Sequence, residues 1–213
     1  MVRSLVLGGI AATLIGSAGM AQALTLVNGD IENNSTGQFG AIAGWGPNGG
    51  WALHSGFPAP GNGGLGNSFG FYSAGTTETV GQIVQGHTIQ ANTTYKFWGW
   101  AYKGGDNLGT IPWQLGYANT DGQLNSFVAL ATTLNVVDGA TEWAEMSGVS
   151  YTTGTSGAEL GRQLIVRFGS GANGGASDIW FDNLQASAEV VPEPATMVAL
   201  SLGAAAMLRR RRK

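Results

Sequence analysis

Catalysis needs nucleophiles, bases or paired carboxylates at workable spacings, and this chain of 213 residues offers few of them. It has no cysteine, which removes a thiol nucleophile, a cysteine-ligated zinc and any disulfide. His54 and His87 stand far apart, and neither a G-x-S-x-G elbow nor an H-E-x-x-H pair is present. Glycoside hydrolysis needs two carboxyls roughly 5–9.5 Å apart, one of them with a raised pKa. Glu142 and Glu145 are close in sequence, but an offset of three sets them on opposite faces of a strand. A hydrolase would need Glu142 or Glu159 to face another acid across a cleft. The residue types therefore predict a protein that is not an enzyme.

The aromatic residues are richer. All seven tryptophans and all five tyrosines lie between residues 24 and 190. From Tyr95 to Tyr102, strand alternation puts Tyr95, Phe97, Gly99 and Ala101 on one face and Lys96, Trp98, Trp100 and Tyr102 on the other. One face must pack a core, while the other face of a two-layer sandwich is usually solvated. Either Gly-rich loops cover Trp98 and Trp100, or the face is free to stack on sugar rings. A sugar lays its C–H surface on a flat aromatic ring while polar neighbours bond its hydroxyls. Trp45, Trp51, Trp100, Tyr102 and Trp113 are the carbohydrate-binding candidates, with Gln82, Gln85, Asn107, Gln114 and Asn119 as polar neighbours.

The elements that would position these residues are short strands. Segments rich in Val, Ile, Thr and aromatics recur between clusters of Gly, Asn, Ser and Thr, with no sustained 3.6-residue period. Strands are predicted at 24–27, 69–72, 79–84, 93–102, 112–117, 127–134, 142–151, 163–168 and 179–186. Many short strands separated by turn signals point to an all-β, antiparallel sandwich or barrel. Residues 33–50 and 55–68 read as long Gly-rich loops, yet they carry Phe39, Trp45 and Phe57, which suits ordered loops packed on the sandwich.

The two ends read differently. Arg3, an apolar run over 5–15 and the A-x-A of Ala21 to Ala23 form a signal peptide over residues 1–23, cleaved between Ala23 and Leu24. The alternative is an uncleaved N-terminal anchor. At the other end, the apolar run 197–208 leads straight into four arginines and Lys213. Such a basic end stays on the cytoplasmic side, so the short hydrophobic helix is expected to anchor the chain transiently in the membrane during export. Residues 24–190 are one domain's worth of chain, enough to bury about 70% of the unfolded surface. They hold four basic residues, Lys96, Lys103, Arg162 and Arg167, against twelve acidic ones, a net charge of −8. Nothing in that balance could neutralise phosphates, so nucleic acid is excluded as a partner.

Val191-Pro192-Glu193-Pro194-Ala195-Thr196, the apolar run and the basic cluster together resemble the PEP-CTERM sorting signal of bacteria that make extracellular polysaccharide. The resemblance assigns residues 191–213 to sorting and implies an exosortase-type processing enzyme as partner. Two prolines keep that strip extended and deny it helix, which suits presentation to an enzyme. Within 24–190, Asn28-Gly29-Asp30-Ile31-Glu32 resembles the opening of galactose-binding-like jelly rolls, a group that includes many carbohydrate-binding modules. Gln82-Ile83-Val84 and 91–97 resemble their middle strands, and Trp180-Phe181-Asp182-Asn183-Leu184 resembles their closing strand. The resemblance implies an antiparallel jelly-roll β-sandwich. It also implies a structural calcium site at Asp30, Glu32 and Asp182, where the first and last strands meet; calcium takes six to eight oxygen ligands. The alternative is that Asp30 and Asp182 bond turn backbone as Asx-type caps.

These observations predict an exported protein of the outer cell surface or extracellular matrix that binds extracellular polysaccharide without catalysis. A purely structural or adhesive matrix protein is the rival reading.

Overall fold

The computed structural model describes residues 20–32, 43–46, 51–55, 67–73, 78–104, 109–137, 143–170 and 177–192, with single positions at 202, 203 and 207. The unit Ala21–Val190 is a two-sheet antiparallel sandwich. Its strands are β1 (Gln22–Leu24), β2 (Trp51–Ser55), β3 (Asn67–Ser73), β4 (Glu78–Thr88), β5 (Thr93–Gly104), β6 (Gly109–Ala118), β7 (Phe127–Val137), β8 (Ala144–Thr152), β9 (Gln163–Ser170) and β10 (Ser177–Val190). One sheet runs β2-β3-β10-β5-β8, with β1 also paired to β10; the other runs β4-β9-β6-β7. All nine expected strands are present, most of them longer than predicted, and β2 is an addition. The first is displaced toward the N-terminus: Gln22 to Leu24 pair with Ala188 to Ala186, and residues 27–30 form a turn.

Alternation settles which side chains meet between the sheets. Ile111, Trp113 and Leu115 of β6 face inward with Tyr95, Phe97 and Ala101 of β5, all buried. Trp113 sits 5.2 Å from Phe97 edge to face, and Phe168 lies 4.6 Å from Phe181. Edge-to-face and tilted pairs at such separations each add roughly 0.5–1.5 kcal/mol beyond the area they bury. Pro112 is tolerated inside β6 because pairing to β9 begins only at Trp113.

The long first loop is stitched to the sandwich through Gly46, which pairs with Gly81, and through Gln82. The buried Gln82 amide accepts a bond from the Val27 N–H (2.7 Å) and donates to the Val27 and Gly44 carbonyls (2.9 Å each). One side chain thereby satisfies three backbone groups that would otherwise be stranded. Trp45 follows into the core, and its indole N–H donates to the Asn28 carbonyl.

In the C-terminal segment Leu202, Gly203 and Met207 are helical. Among the described residues no helix is long and apolar enough to cross a membrane. Residues 1–19 of the expected signal peptide (1–23), most of the apolar run 197–208 and the sorting residues Glu193, Pro194, Ala195 and Thr196 lie outside the described residues. Val191 and Pro192 are exposed.

Candidate functional site

The outer face of the β10-β5-β8 sheet gathers the aromatics that the core does not use. Trp98, Trp100 and Tyr102 of β5 are all half-buried there. Trp180 of β10 stands opposite Tyr102, and the Trp143 ring packs 5.7 Å from it on the other side. Trp100 lies between Asp182 and Glu145, and Trp98 lies opposite Gln185. Further along, Lys96 is flanked by Ser187 and Ser150, and Thr94 by Glu189 and Thr152. The face thus grades from a crowded aromatic end to a polar end, with Trp98 at the boundary.

Both neighbours of β5 break register at that boundary. On β8 the shift falls between the partners of Phe97 and Gly99; on β10 it falls between Asp182 and Gln185. Each irregularity uses a left-handed residue, Gly148 (φ +65°) on β8 and Asn183 (φ +47°) on β10. Bulges bend a strand and re-aim side chains. Here two of them flank Trp98. Two cavities lie beside it. One of about 540 Å³ runs along Lys96, Glu145, Ser147, Ser187 and Glu189, and the other, of about 480 Å³, along Leu24, Asn28, Asp30 and Gln185. Trp98 lines both.

Two of the expected stacking residues are in the core instead. Trp113 is 0% exposed and Trp45 is 4% exposed, so neither can receive a sugar ring. Trp113 is inward because it alternates with Pro112 and Gln114 in a strand whose Ile111 and Leu115 face the core; Trp45 is drawn in by Phe168, 5.2 Å away. Trp51 opens β2, and its side chain lies outside the described residues. Trp100 and Tyr102 remain on the outer face. Trp98, Trp143 and Trp180 were not among the candidates, although alternation puts Trp98 beside Trp100; Trp143 and Trp180 join only through cross-strand register. Of the expected polar neighbours, Gln82 is committed to backbone, Gln85 and Gln114 belong to the other sheet, and Gln114 bonds Thr132. Asn119 is exposed in a turn, and Asn107 lies outside the described residues.

The opening and closing segments do meet: Leu184 N–H donates to the Gly29 carbonyl at 2.7 Å. The three carboxylates do not come together as a metal cluster. Asp182 is fully buried and accepts from the Asn183 N–H at 2.6 Å, whereas Asp30 and Glu32 are exposed. Among the described residues no group of three or more His, Asp or Glu could hold a metal ion. The donor set therefore does not fit a calcium ion held by these three side chains.

The remaining titratable groups have structural settings. Glu159 is buried and receives the Tyr151 hydroxyl at 3.4 Å; burial, then the nearby Glu159 charge, raises the Tyr151 pKa. Glu142 lies outside the described residues. His87 and His54 belong to different sheets. His87 packs on Tyr95, whose hydroxyl lies 3.3 Å from Nε2 and accepts from the Gln90 N–H; burial lowers the His87 pKa. The Arg167 guanidinium lies 4.5 Å over the Phe127 ring. Signal-cleavage residues Ala21 and Ala23 are exposed and Leu24 is half-buried.

Residues 190–213 match the PEP-CTERM protein-sorting motif. No curated protein sequence matches the chain. Its fold is similar to that of a cyclase from Fischerella sp. TAU (TM-score 0.62, 15% identity, covering 82% of this chain and 100% of that one). It is also similar to the CBM22-1 xylan-binding domain of Xyn10C from Paenibacillus barcinonensis (TM-score 0.52, 13% identity, 83% and 98%). A third similarity is to the arabinose-bound MgGH51 α-L-arabinofuranosidase (TM-score 0.58, 19% identity, 81% of this chain and 27% of that one). At these identities the likeness establishes the jelly-roll sandwich and nothing finer.

Proposed function

We propose that this chain is an exported cell-surface or matrix protein, processed by an exosortase-type enzyme, that binds extracellular polysaccharide without catalysis. The C-terminal motif supports export and sorting. In this reading the apolar run 197–208 holds the chain at the membrane only until processing. The observation that carries the binding function is the row of half-buried aromatics, Trp98, Trp100, Tyr102, Trp143 and Trp180, on the sheet face opposite the core. A soluble sandwich gains nothing from five such rings on its outer face, whereas a glycan chain needs flat apolar surface edged with hydroxyls and carboxylates. The fold likeness to a xylan-binding domain is compatible with this, as the likeness to a cyclase and a glycosidase is with chemistry.

A second reading, a structural or adhesive matrix protein, draws on β7. That strand pairs only with β6 among the described residues, and its Leu134 and Val136 are 63% and 60% exposed. An uncharged, exposed edge is suited to strand-to-strand association. Affinity electrophoresis of the domain in gels cast with the producing cell's own matrix polymer separates the readings. Retardation that is lost in Trp100→Ala or Trp180→Ala, with the domain still folding cooperatively, supports binding. Free migration in every polymer, combined with concentration-dependent oligomers, supports the structural reading and removes the first.

A further inference from the structure

Trp98 differs from the other outer-face aromatics in its surroundings. Tyr102 is packed against Trp143 and paired with Trp180, but Trp98 has a cavity on either side and a bulged strand on either side. Beside it stand one cation, Lys96, and the carboxylates Glu145, Glu189 and Asp30, with Ser147 and Ser187 between them. Carboxylates accept, ammonium donates and serine does both, so the edge of the indole is lined for a polyhydroxylated ligand. The sign of the charge narrows the ligand further. Acids outnumber the one lysine around Trp98, and the domain carries a net charge of −8, so a uronate or sulfated chain would enter a repelling field.

The segment that maturation removes touches both cavities. Ala21 lines the first and Ala23 the second. Both belong to the short segment that runs along the outer side of β10, where Gln22 pairs with Ala188 and Ala23 with Ser187. Cleavage after Ala23 deletes those two pairings and both lining residues, leaving Leu24 opposite Ala186.

We propose that Trp98 is the floor of a binding groove for a neutral glycan chain, and that removal of the signal peptide after Ala23 joins the two cavities into that groove. The proposal rests on the polysaccharide-binding reading and adds the site, the ligand class and the step that opens it. The export precursor would carry a divided site, and only the mature chain would present it whole.

The test compares chains beginning at Leu24 and at Ala21, both ending at Val190. Every core residue lies between Ile31 and Ala188, so both keep the entire core. Gels contain β-glucan or galactomannan as neutral probes and polygalacturonate as the anionic one. The expected result is retardation by a neutral polymer at least tenfold stronger for the Leu24 chain. Trp98→Ala is expected to lose at least tenfold in affinity, and Lys96→Ala and Glu145→Gln about threefold each. The last two positions are exposed, so they decide the matter if Trp98→Ala does not fold. Wild-type affinity in Trp98→Ala, or in both exposed variants, alongside loss in Trp100→Ala would overturn the groove and leave the broader reading standing. Equal affinity of the two chains overturns the opening step, and stronger retention by polygalacturonate overturns the ligand class. No retardation by any polymer removes the groove together with the reading beneath it.

Discussion

At Asp182 a single buried carboxylate tests two ideas of what the closing strand is for. Its Oδ1 accepts the Asn183 N–H at the start of the β10 bulge, where Asn183 is left-handed and the chain must turn away from ladder pairing. Removing that acceptor leaves a part-buried donor unsatisfied, at the lower end of the roughly 1–3 kcal/mol such a loss costs. Asp182→Ala is therefore expected to lower stability by that amount in urea titration. Because Asp30 and Glu32 are exposed and form no metal-holding group with it among the described residues, chelator is expected to leave the wild-type melting temperature unchanged. A fall of several degrees on adding EDTA would reinstate calcium at this carboxylate.

The tryptophans divide in the same testable way. Trp113→Ala empties the centre of the core and is expected to cost roughly 3–5 kcal/mol. Trp100→Ala removes a half-buried ring from an outer face, so about 2 kcal/mol is expected in stability, less than for Trp113, with the diagnostic loss in polymer affinity. The burial of Trp113 was legible in the chain, since Ile111, Trp113 and Leu115 alternate as an apolar face. The burial of Trp45 was not, because it depends on Gln82 and Phe168 capturing a loop from far along the sequence.

His87 carries a pH dependence of known sign. Burial holds its pKa below the ordinary 6.5, so the unfolded chain takes up that proton more readily than the folded one. The contribution to stability is whole above pH 6.5 and is lost as pH falls from there through the folded value. Comparing unfolding of wild type and His87→Gln at pH 8 and pH 5 isolates it: the wild type is expected to lose more stability on acidification than the variant.

Among the elements, β5 was the most readable. Its alternation of Tyr95, Phe97 and Ala101 against Lys96, Trp98, Trp100 and Tyr102 is long and unbroken, and both faces came out as the pattern requires. β2 was invisible for the opposite reason: five residues between Gly-rich stretches form a strand only because β3 offers an edge for Trp51 to Ser55. The paired bulges beside Trp98 were equally hidden, since register is a property of two strands and the sequence records one at a time. Gly148 is where this becomes testable. At φ +65° a side chain is strained, and a Cβ there would overlap the Phe97 carbonyl oxygen and lie 2.7 Å from Trp98 Cα. Gly148→Ala is expected to cost at least about 2 kcal/mol, from strain and displaced backbone together. It is also expected to weaken polymer binding in the fraction that remains folded, measured by the same gels.

Across the whole molecule, the expected signal-cleavage site lies beside the C-terminal end of the last strand. β1 brings Gln22 opposite Ala188, so the expected signal-cleavage site and the last turns of β10 are neighbours. β10 then stops at Val190, opposite Thr93 at the start of β5, and Pro192 has no N–H with which to carry a ladder further. The sorting strip begins where the sandwich ends, with no linker between them. An enzyme acting at Pro192-Glu193-Pro194 therefore has to act within a few residues of folded domain, on a strip whose prolines disfavour helix. Replacing both, Pro192→Ala with Pro194→Ala, lets the helical tendency of Ala195 to Met197 extend back toward β10. In a host carrying an exosortase-type enzyme, this variant is expected to remain in the membrane fraction at the size of the chain with its tail. The wild type is expected to appear outside the cell membrane, shorter by the tail. Normal processing of the double variant would mean that the enzyme reads the apolar run and basic end alone, and that the prolines after Val190 serve only to terminate the sheet.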